Sequence, residues 1–173
     1  STGAANIAEI HRAVEAARAV GNEDVALLHC ILDYPTAFEN ANLNMIKHLG
    51  QVFPNIPLGF SDHTRPDESM VVLTTAYLFG AKIIEKHFTL NKNLKGNDHY
   101  HAMEPSDLAK FVKNVNMIHQ ISGVYEKQPL PCEAESRKQA RRSIVALADI
   151  QPGEIISRDN VTFKRPGTGI SPS

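Results

Sequence analysis

Apolar residues recur along the first two thirds of the chain with two alternating periodicities. Apolar positions spaced three and four residues apart predict helices, and short, nearly continuous apolar runs predict strands that are covered on both faces. The predicted helices cover residues 6–20, 42–53, 67–79 and 106–121. The predicted strands cover residues 25–32, 56–63 and 82–90. Strict alternation with short connections is typical of parallel βα units joined by right-handed crossovers, so we expect an α/β fold.

The pattern changes after residue 122. Residues 123–136 are polar and contain two prolines, which predicts a linker between domains. Residues 137–173 hold short runs of β-forming residues (SIVAL, EIIS, VTFKRP) separated by turn signals. They predict a small β-rich second domain. The chain opens on Ser1 without an initiator methionine, and we expect it to be a segment of a longer protein.

Composition narrows the class of protein. The chain has 173 residues, 42% hydrophobic and 21% charged, with a formal net charge of −1, which is an ordinary globular composition. No basic cluster is large enough to predict a nucleic-acid partner, and the apolar run at 71–81 is too short to span a membrane. Cys30 and Cys132 form neither a disulfide framework nor a zinc motif, which favours a cytoplasmic protein.

Two stretches, GFSDHT and IIEKHFT, place an acid beside a histidine where a predicted strand ends. Side chains alternate between the faces of a strand, so Ser61 shares a face with His63, and Glu85 shares a face with His87. The carboxyl ends of neighbouring parallel strands lie side by side, and in a (β/α) barrel they form the mouth where chemistry takes place. Two imidazoles with a carboxylate nearby are half of a divalent-metal site with open positions, which suits Lewis-acid catalysis.

The alternative is that each histidine lies at the edge of the core and bonds to a neighbouring acid. The matched placement on two strand ends favours the metal. The following loop, 96–103, adds Asp98, His99 and His101. Its H-x-H pair could bind a metal, but histidines of loops are more often solvated, so we expect Asp98 to matter more because the loop can fold over the mouth.

Ser1, Thr2 and Gly3 precede the first predicted helix. Backbone N–H groups and a hydroxyl at a helix N-terminus can hold a phosphate. The same residue types are also ordinary helix caps, so both interpretations stay open.

Taken together, the motifs STG, LLHC…YPT, GFSDHT, IIEKHFT, GNDHYHAM and KRPGTG resemble the bacterial sialic acid synthase family, in the correct order along the whole chain. The resemblance implies a TIM barrel, of which residues 1–122 would be the C-terminal part, followed by an antifreeze-like SAF domain beginning at 137–173. It also implies condensation of phosphoenolpyruvate with an N-acetylated hexose, typically N-acetylmannosamine. The products would be a nine-carbon 2-keto-3-deoxy acid of the sialic acid type and phosphate.

The resemblance also assigns roles to residues at the predicted site. A divalent metal, Mn²⁺ or Mg²⁺, would lie between His63 and His87 and polarise the aldehyde of the open-chain sugar. Glu85 would serve the sugar and the transfers of water and protons. Asp98 would contact the sugar hydroxyls.

Further expected contacts concern the two substrates. Ser1 and Ser61 would help to hold phosphoenolpyruvate, and Arg165 from the SAF domain of a partner subunit would touch the acyl group, which implies a domain-swapped homodimer. One departure is Leu32, which stands where the family often has an asparagine that binds substrate. The side chain of Leu32 cannot donate or accept a hydrogen bond. The family's lysines for phosphoenolpyruvate come from the front half of the barrel, so we expect the 173-residue segment to be inactive alone.

Two other functions are compatible with parts of this pattern. A different metal-dependent TIM-barrel enzyme, such as a class II-type aldolase, would share the histidine pair without using phosphoenolpyruvate. A non-catalytic antifreeze-like binding module would need a flat apolar surface, whereas the tail carries charged residues such as Arg158, Asp159, Lys164 and Arg165.

Overall fold

The computed structural model describes residues 1–172, which form two compact units that divide after Gly123. The first unit contains all seven predicted elements, each close to its expected position. Its helices are α1 (Ile7–Ala19), α2 (Asn44–Val52), α3 (Val71–Leu78) and α4 (Pro105–Ser122). Its strands are β1 (Leu27–Cys30), β2 (Leu58–Asp62) and β3 (Ile83–Lys86). The predicted α/β class is confirmed for this unit.

The three strands form a parallel sheet in the order β1-β2-β3. Ser61 is the partner of Cys30 on one side and of Glu85 on the other, so the carboxyl ends of the strands are aligned. Within the described residues this sheet is open, and the expectation that residues 1–122 are the C-terminal part of a barrel stays a prediction. On β3, Ile83 and Glu85 share one face of the strand and are both exposed, whereas the sequence predicted a strand covered on both faces.

Two apolar clusters hold the helices against the sheet. The larger cluster joins α2, β2, α3 and α4 through buried side chains such as Ile46, Phe60 and Leu73. The smaller cluster joins α1 and α2 around Val14 and Leu49. Burying a side chain of this size contributes about 1.5–3 kcal/mol, so these clusters fix the helices that carry the strand ends.

Local side-chain bonds decide where the helices begin. In α1, Asn6 and Glu9 form a reciprocal capping box. Helix α3 begins at Val71, four residues after its predicted start. The carboxylate of Asp67 accepts hydrogen bonds from the backbone N–H groups of Val71 and Val72, which makes residues 67–70 a capping turn.

The second unit contains helix α5 (Ala134–Ala140) and an antiparallel pair of strands, β4 (Ser143–Ala146) and β5 (Val161–Lys164). Helix α5 begins within the segment that was expected to be a linker. The EIIS run at 154–157 is not a strand, because the Asn160 side chain bonds to the backbone of Ile155 and Ser157.

Among the described residues, none of the helices combines the length and apolar character needed to cross a bilayer.

Candidate metal centre and substrate site

Ser61 and Glu85 meet where β2 and β3 end. The Ser61 hydroxyl donates a 2.7 Å hydrogen bond to Oε1 of Glu85. Ser61 is buried, whereas Glu85 is exposed on the face of β3 that the helices do not cover. The alternation of side chains predicted that both residues lie on the same face at adjacent strand ends, and the structure has them in these positions. The glutamate therefore has one oriented oxygen and a second oxygen open to a ligand.

His63 and His87 follow these residues and are in edge contact, with ring centroids 5.4 Å apart and ring planes inclined at 60°. Nδ1 of His63 lies 2.8 Å from the carbonyl oxygen of Ile31, and since a carbonyl only accepts, this nitrogen is the donor. In the neutral ring the lone pair is then on Nε2, the form that ligates metals. The backbone bond thus selects the tautomer of His63 that can bind a cation.

His101 is a third imidazole of the same cluster. Its ring centroid lies 4.9 Å from that of His87, and the residue is only 1% exposed. The expectation that the histidines of this loop are solvated is wrong for His101. Burial is the main cause that lowers the pKa of His101, and the charge of His87 adds to it while Asp98 opposes it.

Asp98 reaches the cluster from the loop, just before a short 3-10 helix (His99–His101). Its Oδ2 lies 3.7 Å from Nδ1 of His87, and its side chain is 62% exposed. Ligand atoms of His87, Asp98 and His101 all lie within 4.8 Å of one another. Nitrogen and oxygen donors in this combination fit a divalent metal such as Mn²⁺ or Zn²⁺, and the buried imidazole of His101 supports that fit.

Tyr34, which the sequence did not single out, packs over the histidines. Its ring lies 4.0 Å from that of His63 and makes edge contacts with His87 and His101. The hydroxyl of Tyr100 donates to the Tyr34 carbonyl, so the loop and the segment after β1 are tied together. A tyrosine beside Pro35 is a common turn pattern, so this role could not be predicted from the sequence.

The first three residues run along β1. Both the backbone N–H and the hydroxyl of Thr2 donate to the carbonyl of Leu28. At Gly3 an added Cβ would lie 2.7 Å from Cγ of Leu32, which is 57% exposed. Ser1 thus precedes a residue that is bonded to β1, and its role toward phosphate stays a prediction.

Arg165 follows β5 in the second unit and is exposed. Its expected contact with an acyl group in a partner subunit stays a prediction.

The comparisons with known proteins agree with this architecture. Residues 1–127 match the NeuB family and residues 141–173 match the SAF domain. The chain belongs to the NeuB family, and the resemblance seen in the sequence is confirmed.

Curated relatives match over nearly the whole chain. An uncharacterised protein of Methanocaldococcus jannaschii is 46% identical over 170 residues, which cover 98% of this chain and 49% of the relative. The N,N'-diacetyllegionaminic acid synthase of Campylobacter jejuni is 38% identical over 173 residues, covering 99% of this chain and 51% of the enzyme. The chain therefore spans about half the length of the curated relatives it matches.

A solved structure shows the same likeness. The spore coat polysaccharide biosynthesis protein SpsE of Bacillus subtilis superimposes with a TM-score of 0.60 at 36% identity. The match covers 96% of this chain and 50% of that one.

Proposed function

We propose that the protein carrying this chain condenses phosphoenolpyruvate with an N-acetylated hexose, such as N-acetylmannosamine, to a nine-carbon 2-keto-3-deoxy acid. Membership of the NeuB family and the legionaminic acid synthase among its relatives support this class of reaction. The observation that carries the proposal is the cluster at the ends of β2 and β3. There His63 and His87 lie in edge contact beside the bonded pair of Ser61 and Glu85.

Each side chain of the cluster has a role in this proposal. His63 and His87 hold Mn²⁺ or Mg²⁺, which when bound supplies Lewis-acid activation of the sugar aldehyde. Glu85 accepts and returns protons, as its free oxygen faces the open side of the sheet. Asp98 accepts hydrogen bonds from sugar hydroxyls, and its exposure on the loop suits that contact.

The phosphoenolpyruvate carboxylate and phosphate bind near Ser61 and Ser1 in this proposal. C3 of phosphoenolpyruvate forms the new bond to the aldehyde carbon, water adds at C2, and phosphate leaves. Lys86 does not neutralise the anion, because it is buried and paired with Asp62. We therefore propose that the anion needs cationic side chains from the remainder of a (β/α) barrel, and that residues 1–173 alone are inactive.

The assembly and location are also part of the proposal. The parent protein is proposed to be a homodimer in which Arg165 of one subunit reaches the sugar's acyl group in the other. Cys30 and Cys132 are both free thiols, which suits a reducing compartment and hence the cytoplasm.

The test is to incubate the full-length parent with phosphoenolpyruvate, Mn²⁺ and N-acetylated hexoses, and to measure phosphate and acid product together. We expect phosphate release that depends on the sugar and equals the amount of nine-carbon acid detected by mass. Product formation from pyruvate, without phosphate, would instead identify an aldolase. Absence of phosphate release with every N-acetylated hexose would overturn the proposal.

A further inference from the structure

His101 has a combination of properties that its neighbours lack. It is 1% exposed, and neither of its ring nitrogens has a hydrogen-bond partner among residues 1–172. Buried polar atoms nearly always have a partner, because leaving one unpaired costs about 1–3 kcal/mol. A buried imidazole with two unpaired nitrogens therefore calls for a ligand or a structural reason.

The backbone around His101 fixes its position next to His87. The N–H of Met103 donates to the carbonyl of His87 at 2.7 Å, and the N–H of Thr89 donates to the carbonyl of Met103 at 2.8 Å. The segment that follows His101 thus pairs with the continuation of β3. A side chain held this way is pre-positioned, which lowers the entropy cost of binding an ion.

The geometry points to a shared ion. We propose that His101 is a further ligand of the cation held at His87, so that this chain adds a third imidazole to the two predicted from the strand ends. The inference rests on the proposed function, since it concerns the same metal centre. It extends that function by assigning a ligand in the loop, where the sequence favoured only Asp98.

The separations decide whether one ion can be shared. Two ligand atoms bound at about 2.1 Å lie at most about 4.2 Å apart. The atoms of His87, Asp98 and His101 lie within 4.8 Å of one another, so the group needs to contract by about half an ångström. His87 and Asp98 have side chains 30% and 62% exposed, which leaves them room to rotate toward the buried ring.

An added imidazole changes which metal is preferred. Imidazole nitrogen suits Zn²⁺, Fe²⁺ and Ni²⁺, whereas Mg²⁺ prefers carboxylate, carbonyl and water oxygens. A centre that gains the imidazole of His101 therefore discriminates against Mg²⁺ more strongly than one without it. Packing of His101 as a mere space-filler would give no such selectivity.

The test titrates Mn²⁺, Zn²⁺ and Mg²⁺ into the full-length parent and into its His101→Leu and His101→Gln variants. The matched control is His99→Leu, from the same loop, whose ring bonds to Thr89. We expect both His101 variants to bind Zn²⁺ and Mn²⁺ at least about tenfold more weakly, and Mg²⁺ affinity to change less. About tenfold is the lower end of the loss measured when a residue that supports a metal ligand is removed. His99→Leu should stay within about twofold of wild type, since it removes no ligand.

A crystal of wild-type protein soaked with Zn²⁺ gives a second measurement that needs no substitution. Anomalous density should place the ion about 2.0–2.1 Å from a nitrogen of His101. An ion bound to His87 and out of reach of His101, or unchanged affinities in the His101 variants, would overturn the assignment of His101 alone. Absence of any metal binding by wild-type protein would overturn the metal centre of the proposed function as well.

Discussion

The ammonium group of Lys86 lies 2.6 Å from the carboxylate of Asp62, and each side chain is only 1% exposed. This buried pair joins β2 to β3 immediately before the two histidines. Asp62 also accepts from the N–H and hydroxyl of Thr64, while Lys86 donates to the Thr64 carbonyl. The backbone on both sides of His63 is thus fixed by one ion-pair network, which orients the predicted ligand.

The Asp62–Lys86 pair gives a first prediction on stability. Lys86→Met leaves the Asp62 carboxylate buried and unpaired, so we expect a loss of about 3–5 kcal/mol in the free energy of unfolding, measured in urea. The double variant Asp62→Leu/Lys86→Met should recover most of that loss, because no uncompensated charge is left. Lys113→Met, on the exposed surface of α4, is the control and should change stability little. Equal effects of Lys86→Met and Lys113→Met would contradict the assignment.

Asp107 predicts a pH dependence. Burial opposes its ionisation, but hydrogen bonds from Lys92 and from the N–H of Glu104 outweigh burial, and the pKa of Asp107 lies below its ordinary value of 3.8. The contribution of this carboxylate to stability is therefore complete above pH 3.8 and is lost as the pH falls through the folded-state pKa.

Urea unfolding of wild type and Asp107→Asn at several pH values checks this expectation. The variant should be less stable by about 1.5–3 kcal/mol at neutral pH, the usual value of hydrogen bonds to a charged group. The difference should shrink as the pH falls below 3.8. A difference that stays constant down to the lowest pH would show that the charge of Asp107 is not the cause.

Gly59 in β2 predicts a packing effect. A Cβ added there would lie 2.6 Å from the carbonyl oxygen of Ile83, which is backbone of the neighbouring strand and cannot move aside. We expect Gly59→Ala to cost about 1–3 kcal/mol. At Gly50 in α2 the nearest atom is the flexible end of Leu58, 3.1 Å away, so Gly50→Ala should be neutral or stabilising. A Gly59→Ala protein as stable as Gly50→Ala would refute the close approach of the strands.

Glu85 gives a prediction on activity. Because the proposal has this carboxylate transfer protons, Glu85→Gln should lower kcat of the full-length parent about 10²–10⁴-fold. Mn²⁺ affinity should change little, which separates proton transfer from metal binding. Glu68→Gln, an exposed carboxylate before α3, is the matched control and should keep wild-type activity. Full activity of Glu85→Gln would exclude its catalytic role.

The elements and the strand-end positions could be predicted because they depend on local periodicity. Alternation along β2 and β3 suffices to place Ser61 beside Glu85, whatever the rest of the fold does. The start of α3 and the loss of the EIIS strand could not be predicted, since each depends on a side chain that bonds to the backbone, Asp67 and Asn160.

The burial of His101 and the packing of Tyr34 could not be predicted from the sequence either. Both result from contacts between separate segments of the chain. Met103 pairs with Phe88, which follows β3, and the ring of Tyr34 packs against that of His63, which follows β2. A loop histidine has no periodic neighbours that reveal whether tertiary packing covers it. The buried pair of Asp62 and Lys86 was missed for the same reason, because charged residues are usually exposed.

The most direct test of a cation held by His63 and His87 is the Mn²⁺ content of the full-length parent and of its His63→Gln/His87→Gln variant after dialysis. We expect stoichiometric Mn²⁺ in wild type and in the surface control His48→Gln. The double variant should lose both the Mn²⁺ and the sugar-dependent phosphate release. A double variant that keeps wild-type Mn²⁺ and activity would show that the cation and the chemistry lie elsewhere.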